Sequence, residues 1–182
     1  MTSPYDLTRI AHQLSQLPRW LGRTDPFYSV AEHSCRVVLL VPDPAHRVYA
    51  LLHDAPEALV AGDVPDPEKF AMVAAGYDLI ARERRHFTAL CQFLGLPPIP
   101  ADAARAIEEA DHALRHAEYR DLVPHTPERD WTPEGFQYRP DYAARYRRTI
   151  VPRPAEQVRA DWLQRTSAYA GITRETIRKG AA

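Results

Sequence analysis

The apolar run Val48-Tyr49-Ala50-Leu51-Leu52 leads directly into His53-Asp54. Charged or polar groups at the end of such a run must be paired or ligated to offset their desolvation. Glu57 follows four residues after His53, the spacing that places two side chains on one helix face. Pro56 has no N–H to offer the Leu52 carbonyl, so the backbone must bend or loosen beside the His-Asp pair. His33 stands 20 residues upstream of His53, in the first turn of a preceding helix. Two antiparallel helices joined by a short turn at Pro42 and Pro44 would bring it near His53. Asp111 lies between Ala110 and Ala113-Leu114, on the inward face of a later helix. Two imidazoles and two carboxylates form a mixed N/O set suited to a divalent transition metal with coordination positions left open. Spacing alone also admits a plainer account, in which His53-Asp54 caps a helix end and Asp111 pairs with Arg115 at i+4. His12, His46, His86, His116 and His125 lie among polar neighbours and read as surface or cap residues.

The elements that carry these residues are marked out by proline. The chain holds 17 prolines against 7 glycines, and a proline inside a helix costs roughly 3 kcal/mol. Helices are therefore confined to the proline-free windows 5–17, 27–41, 45–55, 68–96, 101–123, 141–151 and 155–182. Leu7, Ile10, Ala11, Leu14 and Leu17 recur at helical spacing and predict a first helix ending at Pro18. Ser29-Val30-Ala31-Glu32 is a capping box that opens a second helix running to Val41. A third helix is expected from about 44 to 59, a fourth over 76–94, a fifth over 101–122 and a last over 155–170. The proline- and aromatic-rich stretch 124–154 reads as an irregular loop packed over the domain. Few glycines and no Asn-Gly or Asp-Gly pair leave little support for a sheet. The expectation is an all-α, compact bundle of about six helices, a single domain over 1–182 with its core at about 5–122.

Length and charge narrow the functional classes. The 182 residues are 45% hydrophobic and 26% charged, with a net charge of −1, enough for one real core. A nucleic-acid polymer would call for a basic excess that is missing. No apolar run approaches the ~20 residues of a membrane span, and Met1-Thr2-Ser3-Pro4 does not begin a signal peptide. Cys35 and Cys91 form no disulfide framework, so the expectation is a cytoplasmic protein without a membrane partner. Of the 23 basic residues, only Lys69 and Lys179 are lysines.

Taken together, the motifs resemble a known family. Arg19-Trp20, Ser29-Val30-Ala31-Glu32-His33-Ser34, His53-Asp54-Ala55-Pro56-Glu57-Ala58, the stretch from Gly62-Asp63-Val64-Pro65 to Lys69, Glu109-Ala110-Asp111 and Glu118-Tyr119-Arg120-Asp121-Leu122 occur in consistent order over about 5–125. This pattern is similar to that of the HD-domain phosphohydrolases, in particular the small bacterial and phage branch with the YfbR-like 5′-deoxynucleotidases. The resemblance implies an HD-domain helical bundle in which His33, His53, Asp54 and Asp111 hold one divalent ion (Co, Mn, Zn, Mg or Fe). It implies catalytic roles for Asp54 and for Glu57, the latter orienting or deprotonating the attacking water. Arg19 and Lys69 would bind phosphate oxygens, Trp20 would wall the sugar or base, and Asp63 would meet the sugar 3′-hydroxyl. Between Glu57 and Gly62-Asp63 the chain carries one residue more than the family pattern, with Leu59-Val60-Ala61 in place of two. The implied activity is removal of the 5′-phosphate group or groups from a small nucleotide, a deoxynucleoside mono- or triphosphate. The family also forms homo-oligomers, here a dimer or hexamer, in a bacterial or phage-infected cytoplasm. Two other classes compete. An HD-fold diiron oxygenase needs additional histidines between Asp54 and Asp111, where only His86 occurs. A non-catalytic nucleotide-binding domain would bind without turnover.

Overall fold

The computed structural model describes residues 5–172. Among these, eight α-helices account for most of the chain: α1 (Leu7–Gln16), α2 (Val30–Val37), α3 (Arg47–Leu52), α4 (Asp66–Ala74), α5 (Leu79–Phe93), α6 (Ala101–Leu122), α7 (Pro140–Ala143) and α8 (Ala155–Ala170). Three short 3-10 turns, Arg19–Gly22, Pro44–His46 and Ala55–Ala58, fall between them. The strand content is a two-residue antiparallel hairpin, β1 (His125–Thr126) with β2 (Arg129–Asp130). The all-α expectation holds in this form, with more and shorter helices than six.

Local chemistry explains the boundaries. Asp6 caps α1 by accepting from the Thr8 and Arg9 backbone N–H groups. Ser29 accepts from the Glu32 N–H and so begins α2. The second half of the expected capping box is not made: the Glu32 carboxylate takes Arg36 and the backbone N–H of Arg153 instead. Helix α2 stops at Val37 rather than Val41. The expected helix over 44–59 is divided into a 3-10 turn, α3 and a second 3-10 turn, with the break at His53-Asp54 and Pro56 in the turn that follows. The missing proline donor is the physical reason for that division. The window 68–96 holds two helices rather than one. In the first, α4, proline at the start of the helix is tolerated because that N–H would be unpaired anyway. The second, α5, is capped by Asp78 accepting from the Ala81 N–H. Helices α6 and α8 match their expected spans, and Gly171 ends α8 at φ +64 in the left-handed region open to glycine.

The last long helix is the packing hub. Helices α1, α2 and α3 all lie against α8, and the fully buried Trp162 donates its indole N–H to the Leu51 carbonyl at 3.3 Å. This fixes the backbone of α3 just before His53. On the other side, α6 packs against α2, α3 and α7. The segment 124–154 is tied down from α6. Arg120 donates to the Ala143 carbonyl, and Asp121 accepts the Ile150 N–H. The segment's own Tyr146 and Ile150 are buried. His116, read from sequence as a surface histidine, is instead buried among Phe136, Tyr138 and Tyr142. Its Nδ1 accepts the Arg139 N–H at 3.1 Å. Among the described residues, no helix is long and apolar enough to cross a membrane.

Candidate metal centre

Three elements converge on one point. The first turn of α2 carries His33, fully buried. The end of α3 carries His53 and Asp54. Helix α6 carries Asp111 and, two turns further on, Glu118. The two imidazole rings lie 5.4 Å apart. His53 Nδ1 sits 2.8 Å from the Ala50 carbonyl oxygen, which can only accept, so Nδ1 donates and Nε2 is turned toward the centre. His33 Nδ1 lies 2.6 Å from Glu118 Oε1, which likewise turns Nε2 toward the centre. Asp54 Oδ2 is 3.2 Å from His53 Nε2 and 3.5 Å from His33 Nε2. Donor atoms of His33, His53 and Asp54 all fall within 4.8 Å of one another. Both Nε2 atoms are buried, with only carboxylate oxygens of Asp54 and Asp111 near them and none in hydrogen-bonding geometry. Once His33 gives up its proton, two buried imidazole Nε2 atoms beside a carboxylate form a donor set that fits a divalent transition metal. Asp111 Oδ1 approaches His33 Nε2 at 3.0 Å, but its carboxylate falls outside the trio that shares the 4.8 Å limit.

The electrostatics suit a cation. Burial favours the neutral form of Asp54, yet His53, His33 and Arg19 hold its carboxyl well below the usual range. The same balance, against His33, His53 and Arg19, lowers Asp111. For His33, burial and Arg19 oppose a proton, but Glu118 and Asp111 outweigh them and push its pKa up to about 9.

Of the residues expected to meet substrate, Arg19, Trp20 and Asp63 are brought together beside the cluster and engage one another. Buried Arg19 pairs with Asp63 at 3.1 Å and lies 3.8 Å from Asp54 and 3.5 Å from Glu118. Asp63 also accepts the Trp20 backbone N–H at 3.2 Å, so the extra residue before it does not carry it away from Arg19-Trp20. Trp20 and Leu21 take φ of +57 and +53, a left-handed turn that costs a non-glycine residue roughly 1–2 kcal/mol. Trp20 is held there by Asp63 at its backbone and by Glu118 at its indole N–H, 3.0 Å away. Its ring meets Phe136 edge-on at 5.0 Å, so the 124–154 segment covers one of its sides. Lys69 is drawn onto Glu83 of α5 at 2.9 Å. Glu57 is buried, with Oε2 lacking a hydrogen-bond partner. Burial, then Asp54 and Asp63, push its carboxyl well above the usual range, against Arg19 and Lys69. It also lines a groove of about 430 Å³ with His12, Gln13 and Leu17 that the metal trio does not reach.

Glu118 is the residue that reasoning from spacing missed. It is fully buried and touches His33, Trp20 and Arg19. Its signal was the seven-residue interval from Asp111, two turns along one face of the same helix.

Fold and site thus define a mostly helical protein with a His-His-Asp cluster able to hold a metal ion. The chain is 42% identical over 115 residues to an uncharacterized protein of Rhodobacter capsulatus, covering 58% of this chain and 57% of that one. It is 33% identical over 118 residues to the uncharacterized protein YfdR of Escherichia coli K12, covering 62% and 58% respectively. The match therefore spans somewhat over half the length of each curated relative. No family model matches the chain.

Proposed function

We propose that this chain is an HD-domain phosphohydrolase that removes the 5′-phosphate group or groups of a small deoxynucleotide. The observation that carries the reading is the pair of buried, unpartnered Nε2 atoms of His33 and His53 facing Asp54. A bound divalent ion supplies Lewis acidity toward a phosphate oxygen and makes water a better nucleophile. His33, His53 and Asp54 would hold it, with Asp111 completing the set. Glu57, its carboxyl raised by burial and by Asp54 and Asp63, is suited to exchange a proton with the attacking water. Arg19 presents a buried guanidinium beside Asp54, where it can trade a carboxylate partner for a phosphate oxygen. Lys69 would leave Glu83 to do the same. Trp20 offers an indole face to the sugar or base, and Asp63 an acceptor for a sugar hydroxyl. The working form would be a cytoplasmic homo-oligomer, a dimer or hexamer.

The reading is tested by incubating the protein with Mn²⁺, Co²⁺ or Mg²⁺ and a panel of nucleoside mono- and triphosphates. Release of phosphate, pyrophosphate or triphosphate that disappears in His53→Ala supports it. No release across the panel, or release that survives His53→Ala, overturns it.

A further inference from the structure

Glu118 presents two oxygens to two different functions. Oε1 meets His33 Nδ1 at 2.6 Å, and Oε2 meets the Trp20 indole N–H at 3.0 Å with Arg19 Nη2 at 3.5 Å. The side chain is wholly buried, so water cannot replace either contact. We propose that Glu118 is a positioning residue that couples the metal centre to the Trp20 wall, fixing the His33 tautomer with one oxygen and the indole with the other. The proposal rests on the phosphohydrolase reading for what Trp20 touches, but its link to His33 does not.

An indole N–H and a guanidinium can only donate. His33 must also donate from Nδ1 if Nε2 is to face the centre. Only an ionised carboxylate offers acceptors at both ends. A glutamine in the same space has one oxygen and one NH₂ group, so either His33 or Trp20 would meet a donor. Helix α6 gives this arrangement its rigidity, because Asp111, two turns earlier, approaches Nε2 of the same imidazole. Trp20 in turn stands in a left-handed turn (φ +57) whose neighbour Leu21 does the same, so its indole needs an anchor. The histidine partner on a metal ligand typically contributes 10–100-fold to metal affinity.

The test compares Co²⁺ affinity, measured on the metal alone by calorimetry and corrected for the proton that binding displaces from His33, in wild type, Glu118→Gln, Glu118→Asp and Glu32→Gln. Glu32 is a buried acid on α2 that bonds Arg36 and Arg153 instead, and it controls for the loss of a buried charge. Tryptophan emission is read in the metal-free proteins in a Trp131→Phe background. Expected are a 10–100-fold loss of Co²⁺ affinity in Glu118→Gln, with a red shift and easier quenching of the indole signal, and wild-type values for both in Glu32→Gln. If Glu118→Gln does not fold, Glu118→Asp, whose carboxylate is withdrawn by one methylene, keeps the charge and is expected to lose affinity in the same direction. A folded Glu118 variant that binds Co²⁺ within twofold of wild type overturns the proposal, as does an equal loss in Glu32→Gln. Because no nucleotide is involved, a wild-type chain that binds Co²⁺ but hydrolyses nothing overturns the phosphohydrolase reading alone. The loss in Glu118→Gln would still support the role given to Glu118.

Discussion

Titrating Co²⁺ into the metal-free protein at a series of pH values should reveal a proton leaving His33. Burial and Arg19 disfavour its charge, but Glu118 and Asp111 prevail and raise its pKa to about 9. A protonated imidazole has no lone pair for a metal, so binding must displace that proton. At pH 7 the group stands about two units below its pKa, which at 1.36 kcal/mol per unit weakens apparent binding by about 2.7 kcal/mol, or about 100-fold. The apparent Kd should therefore fall close to tenfold per pH unit from about 6.5 to 8.5. Calorimetry in buffers of different ionisation enthalpy should count about one proton released per ion. Stability runs the opposite way. Because the folded pKa lies above the ordinary value of about 6.5, the stabilisation is complete below 6.5 and is lost as pH rises through about 9. The metal-free protein should lose about 3 kcal/mol from this source across that window, and added Co²⁺ should restore it. A Kd that does not change between pH 6.5 and 8.5, with no proton released, would refute the claim that Glu118 and Asp111 hold His33 charged.

Other outcomes follow from the same contacts. Glu57→Gln should lower kcat about 10²–10⁴-fold while leaving Co²⁺ affinity within threefold, and a rate close to wild type contradicts the role proposed for it. Arg19→Met removes a buried cation facing Asp63, Asp54 and Glu118. Urea unfolding of the metal-free variant should show a loss of about 3–5 kcal/mol, and a loss below about 1 kcal/mol contradicts this. Arg153→Ala removes the guanidinium contacts with Glu32 and Asp161 at the entry to α8 and leaves the backbone bond to Glu32 in place. It should lower stability by about 1–2 kcal/mol, seen as a fall in melting temperature with KM unchanged.

What could be read from sequence depended on whether the signal was local. Helices α1, α6 and α8 followed from apolar spacing and proline limits, because propensity and burial there agree. The break at His53-Asp54 followed from Pro56, whose missing N–H acts within its own turn. The long helix expected over 44–59 did not, since a sequence window cannot tell a bent helix from three short pieces. The division at 74–79 was hidden for a similar reason: no proline marks it, and Gly76 ends the turn at φ +87 instead. Of the candidate site, His53 and Asp54 were legible because a charge after an apolar run needs a partner, and His33 because its helix, opened at Ser29, turns back at Pro42 and Pro44 onto theirs. The pairing of Arg19 with Asp63 joins residues 44 positions apart, and that of Lys69 with Glu83 depends on how α4 meets α5. Glu118 was overlooked because a glutamate in a helix rich in charge is usually solvated, and only the packing of α6 against α2 buries it.

Stripping the protein of metal and measuring deoxynucleotide hydrolysis as Co²⁺ is added back decides whether the cluster of His33, His53 and Asp54 is a hydrolytic centre. The account predicts no product from the stripped chain, a rate that rises to a plateau at one ion per chain, and no recovery in Asp54→Asn at the same loading. Hydrolysis that persists without metal, or a chain loaded with one ion that turns over none of the deoxynucleoside mono- and triphosphates, would contradict it.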